Sequence, residues 1–147
     1  MNLTGRRTAL GASMFVFSIG LAGLGQSVAA AEPLAGPPAV TATPSTGLNS
    51  GDTVSYTASG FTGNEKVRVG ECAQIGSDVV CVQATSQRAT TDANGGLSGN
   101  LVVTKTFEGV KIDGSPYGSV DCSVSVCGVG VTNDSLSEHA VATISFN

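Results

Sequence analysis

The chain of 147 residues has eleven acidic and seven basic side chains, a formal net charge of −4, four cysteines, one histidine and no tryptophan. A surface of this sign repels phosphate and anionic lipid, which argues against direct binding to nucleic acid or to a membrane surface. Valine, serine, threonine and glycine are abundant, and these residues are typical of strands and turns.

Residues 1–31 have the pattern of a secretory signal peptide. Arg6 and Arg7 precede the apolar run TALGASMFVFSIGLAGLG, and the small residues of QSVAAAEP follow it. The run is shorter than the roughly 20 residues that a membrane-spanning helix needs, and glycines interrupt it. We therefore expect cleavage between Ala29 and Ala31, and a secreted, extracellular protein with no membrane segment. Removal of Arg6 and Arg7 leaves five basic and eleven acidic residues, a net charge of −6.

Residues 32–38 are rich in proline, and we predict an extended lead-in there. In the remaining domain, residues 39–147, apolar and polar residues alternate with the period of two that half-buried strands have. This alternation occurs in TVSYTAS (53–59), KVRVGECAQ (66–74), GLSGNLVVTK (96–105) and HAVATISF (139–146). Turns rich in glycine, asparagine and aspartate separate the segments, and none has a helical period. The pattern predicts an all-β antiparallel sandwich with Greek-key connections.

All four cysteines, Cys72, Cys81, Cys122 and Cys127, follow the predicted signal peptide. An even number of cysteines in an oxidising compartment predicts disulfides. A zinc site would need closer cysteine pairs or more histidines, and His139 is the only histidine. Three pairings are possible. The two local pairs, Cys72 with Cys81 and Cys122 with Cys127, would each close a short loop and stabilise the fold by about 2–3 kcal/mol.

Candidate catalytic groups are few. His139 could act as the base for a serine nucleophile, but no GxSxG motif occurs, and we expect an exposed histidine in a protein that is not an enzyme. Glu65, Glu71, Asp113 and Asp121 are scattered beside strands and turns, where we expect solvated carboxylates. No phosphate-binding loop or calcium-binding run is present. With catalytic, phosphate-binding and calcium-binding motifs excluded, the sequence favours a binding or structural role.

Several stretches occur in an order that resembles one known family. They are VGECA (69–73) followed by Cys81, TTDANGG (90–96), FEGVKIDGSPYGSVDC (107–122), VCGVGV (126–131) and the terminal ATISFN (142–147). The series is similar to the neocarzinostatin family of enediyne antibiotic apoproteins. The similarity extends over about residues 38–147 and includes all four cysteines at the family's spacing.

The resemblance implies a seven-stranded immunoglobulin-like Greek-key sandwich or barrel, with a small β-ribbon subdomain that forms a ligand cleft. It also implies the disulfides Cys72–Cys81 and Cys122–Cys127. The function it implies is that of a carrier without enzyme activity or metal, which holds a labile enediyne-type chromophore non-covalently and releases it to cleave DNA. Contact with DNA would be indirect, through the released chromophore. We expect a monomer.

A flat ligand can approach the backbone only where side chains are small. We therefore expect four glycines to clear the cleft, namely Gly70, Gly114, Gly128 and Gly130. The disulfide Cys72–Cys81 is a rigid apolar surface that could form part of the floor. Further cleft positions follow from the family's pattern, and here they are Gln74, Ser86, Ile112, Tyr117 and Ser137.

The chain departs from the best-known family member at several of these positions. Gln74, Ser86 and Ile112 stand where that relative has aromatic residues. Gly128 replaces a glutamine, Ser137 an asparagine and Tyr117 a tryptophan. Because aromatic stacking contributes about 0.5–1.5 kcal/mol beyond burial, this cleft would hold the same chromophore more weakly, or a different one well.

Two other functions are compatible with the sequence. The main alternative is a secreted immunoglobulin-like module that binds another small apolar molecule, or attaches to a surface, without cytotoxic cargo. Peptidase activity is a third hypothesis, and only His139 supports it.

Overall fold

The computed structural model describes residues 36–147, so the predicted signal peptide and most of the proline-rich lead-in lie outside the described residues. The boundaries at residues 31 and 38 remain predictions. The described residues contain ten strands. They are β1 (Ala39–Thr43), β2 (Thr53–Ser59), β3 (Lys66–Ile75), β4 (Asp78–Val82), β5 (Gln87–Thr90), β6 (Leu97–Val102), β7 (Thr106–Lys111), β8 (Pro116–Asp121), β9 (Val126–Asn133) and β10 (His139–Ile144). Within the same range, no helix has the length and apolar character needed to cross a membrane.

The strands form two antiparallel sheets. The smaller has the order β1-β2-β6, and the larger has the order β10-β9-β3-β4-β7-β8 with β5 paired to β3. The long strand β3 pairs with β5 through Lys66–Val69 and with β4 through Cys72–Ile75. The seven strands β1, β2, β6, β5, β3, β9 and β10 thus form the sandwich, and β4, β7 and β8 extend it as a ribbon. This confirms the expected immunoglobulin-like sandwich with a small ribbon.

Alternation along the strands builds the core between the sheets. In β2, Val54, Tyr56 and Ala58 are buried, whereas the residues between them are exposed. Strands β3 and β9 of the larger sheet contribute four valines that are at most 1% exposed, namely Val67, Val69, Val129 and Val131. Burial of one such side chain stabilises the fold by roughly 1.5–3 kcal/mol. Because these valines use one face of β3 and β9, the opposite face is available for a binding site.

Glu71 is buried on the core face, and the expectation of a solvated carboxylate there was wrong. It lies on β3 in the same alternation as Val67 and Val69, and it is 0% exposed. Its Oε2 accepts hydrogen bonds from the backbone N–H of Thr104 at 2.8 Å and from the Thr104 hydroxyl at 3.3 Å. Burial raises the pKa of Glu71 to about 7, although both hydrogen bonds oppose the shift.

The structure contains the disulfides Cys72–Cys81 and Cys122–Cys127. The first joins directly opposed residues of β3 and β4, where β3 leaves the sandwich and enters the ribbon. The second closes the turn between β8 and β9, and both of its cysteines are buried. The two bonds therefore fix the ribbon to the sandwich at two places.

Candidate functional site

A cavity of about 580 Å³ lies on the face of the larger sheet that is turned away from the core. Residues of β3 form its floor, the ribbon strands β4 and β7 form one side, and β9, β10 and the loop between them form the other. Cavities that bind small molecules have volumes of about 300–1,000 Å³. The volume therefore suits a drug-sized ligand.

The floor has no side chains where β3 meets β9. Gly70 and Gly130 are directly opposed in this strand pair, and both line the cavity. A Cβ atom at residue 130 would lie 3.6 Å from the sulfur of Cys72 and 3.8 Å from the carbonyl oxygen of Gly70, which are ordinary contacts. At residue 70, a Cβ would lie 3.3 Å from the Cβ of Ser86. Packing does not require glycine at residue 130, and its missing side chain leaves room for a ligand.

Apolar groups cover much of the wall. The disulfide Cys72–Cys81 extends the floor, and the aliphatic lining residues include Val79, Val110, Ile112, Leu136, Ala140 and Val141. Ile112, Leu136 and Val141 are 53%, 48% and 58% exposed, so much of their surface is outside the core. Exposed apolar side chains that converge on one concave surface are typical of a binding site.

Polar groups complete the lining. The Nε of Arg68 is 3.6 Å from a carboxylate oxygen of Asp134. The Nε2 of Gln74 donates a hydrogen bond to the carbonyl of Gly76 at 2.8 Å, and the hydroxyl of Ser86 donates to a carbonyl of its own turn at 3.1 Å. These groups thus already have partners within the chain. The arrangement suits non-covalent binding of an apolar molecule that has a few polar groups.

The loop between β9 and β10 positions one wall of the cavity. The Nδ2 of the buried Asn133 donates to the hydroxyl of Ser137 at 3.0 Å, and its Oδ1 accepts from the backbone N–H of Glu138 at 3.1 Å. Leu136 has a φ of 60°, which is uncommon for leucine, and it lines the cavity. The hydrogen bonds of Asn133 therefore hold the loop that carries Leu136.

Ser137→Ala should loosen this loop. Loss of the hydroxyl leaves the amide of Asn133 without one partner, and we expect the free energy of unfolding to fall by about 1 kcal/mol. Ligand affinity should fall by about threefold, because Asp134 and Leu136 line the cavity. Urea unfolding and ligand titration measure the two effects. Ser135→Ala is the control, because it removes the hydrogen bond between the hydroxyls of Ser135 and Ser137 but keeps the bond from Asn133 to Ser137; an equal effect in both variants would contradict the assigned role.

The structure brings eight of the predicted ligand-binding residues together. Those that line the cavity are Gly70, Cys72, Gln74, Cys81, Ser86, Ile112, Gly114 and Gly130. Gly114 also has a φ of 86°, a backbone conformation that favours glycine in the turn between β7 and β8. That these residues contact a ligand remains a prediction.

Three predicted residues do not line the cavity. Gly128 pairs with Thr143 of β10 and has no free space above it, because a Cβ there would lie 2.5 Å from a methyl group of Val141 and 2.6 Å from the carbonyl oxygen of Ala142. Tyr117 lies on β8, the last strand in the order of the larger sheet, with its ring centroid 6.0 Å from the Nζ of Lys111. Ser137 supports the wall through Asn133.

Sequence reasoning did not identify several lining residues, among them Arg68, Val79, Val110, Leu136 and Val141. A signal for Val141 existed, because the core alternation of β10 leaves it as an apolar residue on the opposite face. Leu136 had no comparable signal, since its position depends on the loop conformation. Among residues 36–147, no group of three or more histidine, cysteine, aspartate or glutamate side chains is arranged to hold a metal ion.

Comparison with known proteins finds relatives in one family. The model of the neocarzinostatin family matches residues 40–147. The antitumor antibiotic C-1027 apoprotein of Streptomyces globisporus is 39% identical over 137 residues, which cover 93% of this chain and 92% of the relative. Macromomycin of Streptomyces macromomyceticus is 40% identical over 113 residues, 76% of this chain and 78% of the relative.

Solved structures of two relatives have the same fold. The structure of macromomycin has a TM-score of 0.71 and 38% sequence identity, and the match covers 75% of this chain and 99% of the relative. The solution structure of apokedarcidin has a TM-score of 0.59 and 30% identity, covering 76% of this chain and all of the relative, 100%. Both matches extend over most of the described sandwich and ribbon.

Proposed function

Since this chain belongs to the neocarzinostatin family, we propose that it is a secreted, monomeric apoprotein that binds, stabilises and carries a labile enediyne-type chromophore. The observation that carries the proposal is the apolar cavity of about 580 Å³, in which Gly70 and Gly130 leave the floor open. The chromophore, when released, supplies the chemistry that cleaves DNA. The protein itself acts as a carrier and not as an enzyme.

The lining residues suit the shielding of a reactive molecule from water. The disulfide and the surrounding aliphatic side chains offer an apolar surface that gains about 25 cal/mol for each Å² removed from water. Gln74 and Ser86 each donate one hydrogen bond to a carbonyl of the chain itself, which reduces their demand for water from the cavity. The ligand would thus be held by shape and apolar contact, in agreement with non-covalent binding.

The lining restrains two kinds of nucleophile, thiols and the lysine amine, while the imidazole of His139 also lines the cavity. All four cysteines form disulfides, so the cavity offers no thiol. Lys111 lines the cavity, and its Nζ is 2.9 Å from a carboxylate oxygen of Asp78. A lysine amine is already protonated at neutral pH, and the hydrogen bond to Asp78 raises the pKa of Lys111, which lowers the small neutral, nucleophilic fraction further.

The ligand of this chain need not stack on aromatic side chains. Gln74, Ser86 and Ile112 replace the aromatic residues of the best-known relative, and all three line the cavity. An amide, a hydroxyl and an aliphatic group select against a ligand that depends on stacking. We therefore propose a chromophore that differs from that relative's in its aromatic part.

Extraction of the native protein tests this function. The protein is purified from the medium of its own culture and extracted with organic solvent in the dark. We expect a light-sensitive extract that nicks plasmid DNA and rebinds to the extracted chain, and an N-terminus between residues 30 and 32. The same chain made in a heterologous host is the control and should give no nicking extract. Native protein with no DNA-nicking extract would overturn the cytotoxic cargo and favour the module that binds another apolar molecule.

A further inference from the structure

Basic residues are concentrated beside the cavity. Residues 36–147 contain five lysines and arginines, and Lys66, Arg68 and Arg88 lie on the paired strands β3 and β5. Arg68 and Arg88 are directly opposed in this pair, and Lys66 is opposed to Thr90. Like charges that are directly opposed on antiparallel strands destabilise a sheet. An opposed arginine pair in an acidic protein therefore suggests a role for the local positive charge.

The chain neutralises this charge only in part. Within the described residues, two ion pairs are present, Arg68 with Asp134 at 3.6 Å and Lys111 with Asp78 at 2.9 Å. Lys66 and Arg88 thus have no carboxylate of the described residues within 4.0 Å. Asp134 therefore neutralises one of the three positive charges of Lys66, Arg68 and Arg88.

A second, smaller hollow of about 250 Å³ lies at these residues. Its lining residues are Lys66, Val67, Arg88, Ala89, Thr90 and Asp134. Asp134 also lines the larger cavity, as does its partner Arg68. The Arg68–Asp134 ion pair is therefore at the junction of the two hollows, and one molecule could reach both.

We infer that the smaller hollow is a subsite for an anionic group of the ligand, a carboxylate, sulfonate or phosphate, while the apolar part of the same molecule fills the larger cavity. This inference rests on the proposed function. Arg88 offers a planar guanidinium with several N–H donors, which matches the geometry of such oxyanions. Lys66 and Arg68 add positive charge. The net negative charge of the protein opposes this only weakly, because salt screens charges beyond about 8 Å.

Two fluorescent probes with the same rings separate the subsite from the cavity. Anilinonaphthalene sulfonate carries an anionic group, and phenylnaphthylamine lacks it. We expect the full chain to bind the sulfonate about three- to tenfold more tightly than the neutral probe at physiological ionic strength, where the distant acidic groups are largely screened. Arg88→Gln should remove most of this preference and leave the affinity for the neutral probe within twofold. Lys105→Gln removes the same charge elsewhere and is the matched control.

The outcomes distinguish the inference from the proposed function. A sulfonate preference that is lost in Arg88→Gln, kept in Lys105→Gln and reduced by added sodium chloride supports the subsite. Equal binding of both probes, or a preference that Arg88→Gln leaves unchanged, overturns the subsite while the carrier function stands. Failure of both probes to bind contradicts the apolar cavity, and with it both proposals.

Discussion

Gly130→Leu is expected to abolish ligand uptake while leaving the fold intact. A Cβ at residue 130 makes only ordinary contacts, at 3.6 Å or more, with Cys72, Gly70 and Val141. The rest of a leucine side chain would extend into the cavity and occupy the place of the ligand. We expect affinity for the extracted chromophore to fall by at least about 100-fold, the equivalent of roughly 3 kcal/mol.

The fold should tolerate this leucine because residue 130 lies inside a strand, where glycine is itself unfavourable. The free energy of unfolding should change by less than about 1 kcal/mol. Fluorescence titration and urea unfolding measure the two quantities. Gly36→Leu adds the same side chain where a Cβ meets nothing within 4 Å, and it should bind the chromophore normally. If Gly130→Leu bound the chromophore with full affinity, residue 130 would not be part of the binding site.

Glu71→Gln is expected to stabilise the protein at neutral and alkaline pH and to change little in acid. The pKa of Glu71 is raised from the ordinary value of 4.5 to about 7, and burial is the main cause of this shift. The folded protein therefore binds this proton more tightly than the unfolded chain does. Stability falls as the pH rises from about 4.5 to about 7, and above that range the full cost of a buried charge remains.

Glutamine keeps an oxygen that can accept the hydrogen bonds of Thr104 but has no charge to bury. We expect Glu71→Gln to raise the free energy of unfolding by about 2–3 kcal/mol at pH 8, and by little below pH 4.5. Urea unfolding from pH 4 to pH 9 measures the difference. Glu108→Gln, at an exposed carboxylate of β7, is the control and should shift stability by less than about 0.5 kcal/mol. A Glu71→Gln protein that is less stable at every pH would show that the carboxylate stabilises the fold through Thr104.

The alternation of apolar and polar residues made the strands predictable from the sequence. The alternation of Val54, Tyr56 and Ala58 in β2 matches the buried face that the structure shows. The same alternation would also have placed Glu71 on the buried face of β3, because it is two residues from Val69 and four from Val67. A carboxylate on a buried face runs against the usual exposure of glutamate, and its hydrogen bonds come from Thr104, which is far away in the sequence.

The site was less predictable because its walls come from separate elements. Gly70 and Gly130 could be placed at the cavity from the resemblance, and the structure pairs them across β3 and β9. Gly128 has the same residue type and the same strand, yet Val141 covers it. Nothing in the local pattern around Gly128 distinguishes the two glycines, because the difference depends on where β10 packs. Leu136 depends likewise on a loop held by Asn133.

The most direct test compares amide NMR spectra of the native protein before and after dark extraction with organic solvent. A ligand held on the open face of the larger sheet should shift the amide signals of Gly70, Cys72, Gly130 and Val141 and leave those of β1, β2 and β6 unchanged. Identical spectra, or shifts confined to β1, β2 and β6, would contradict a cargo held between the ribbon and the sandwich.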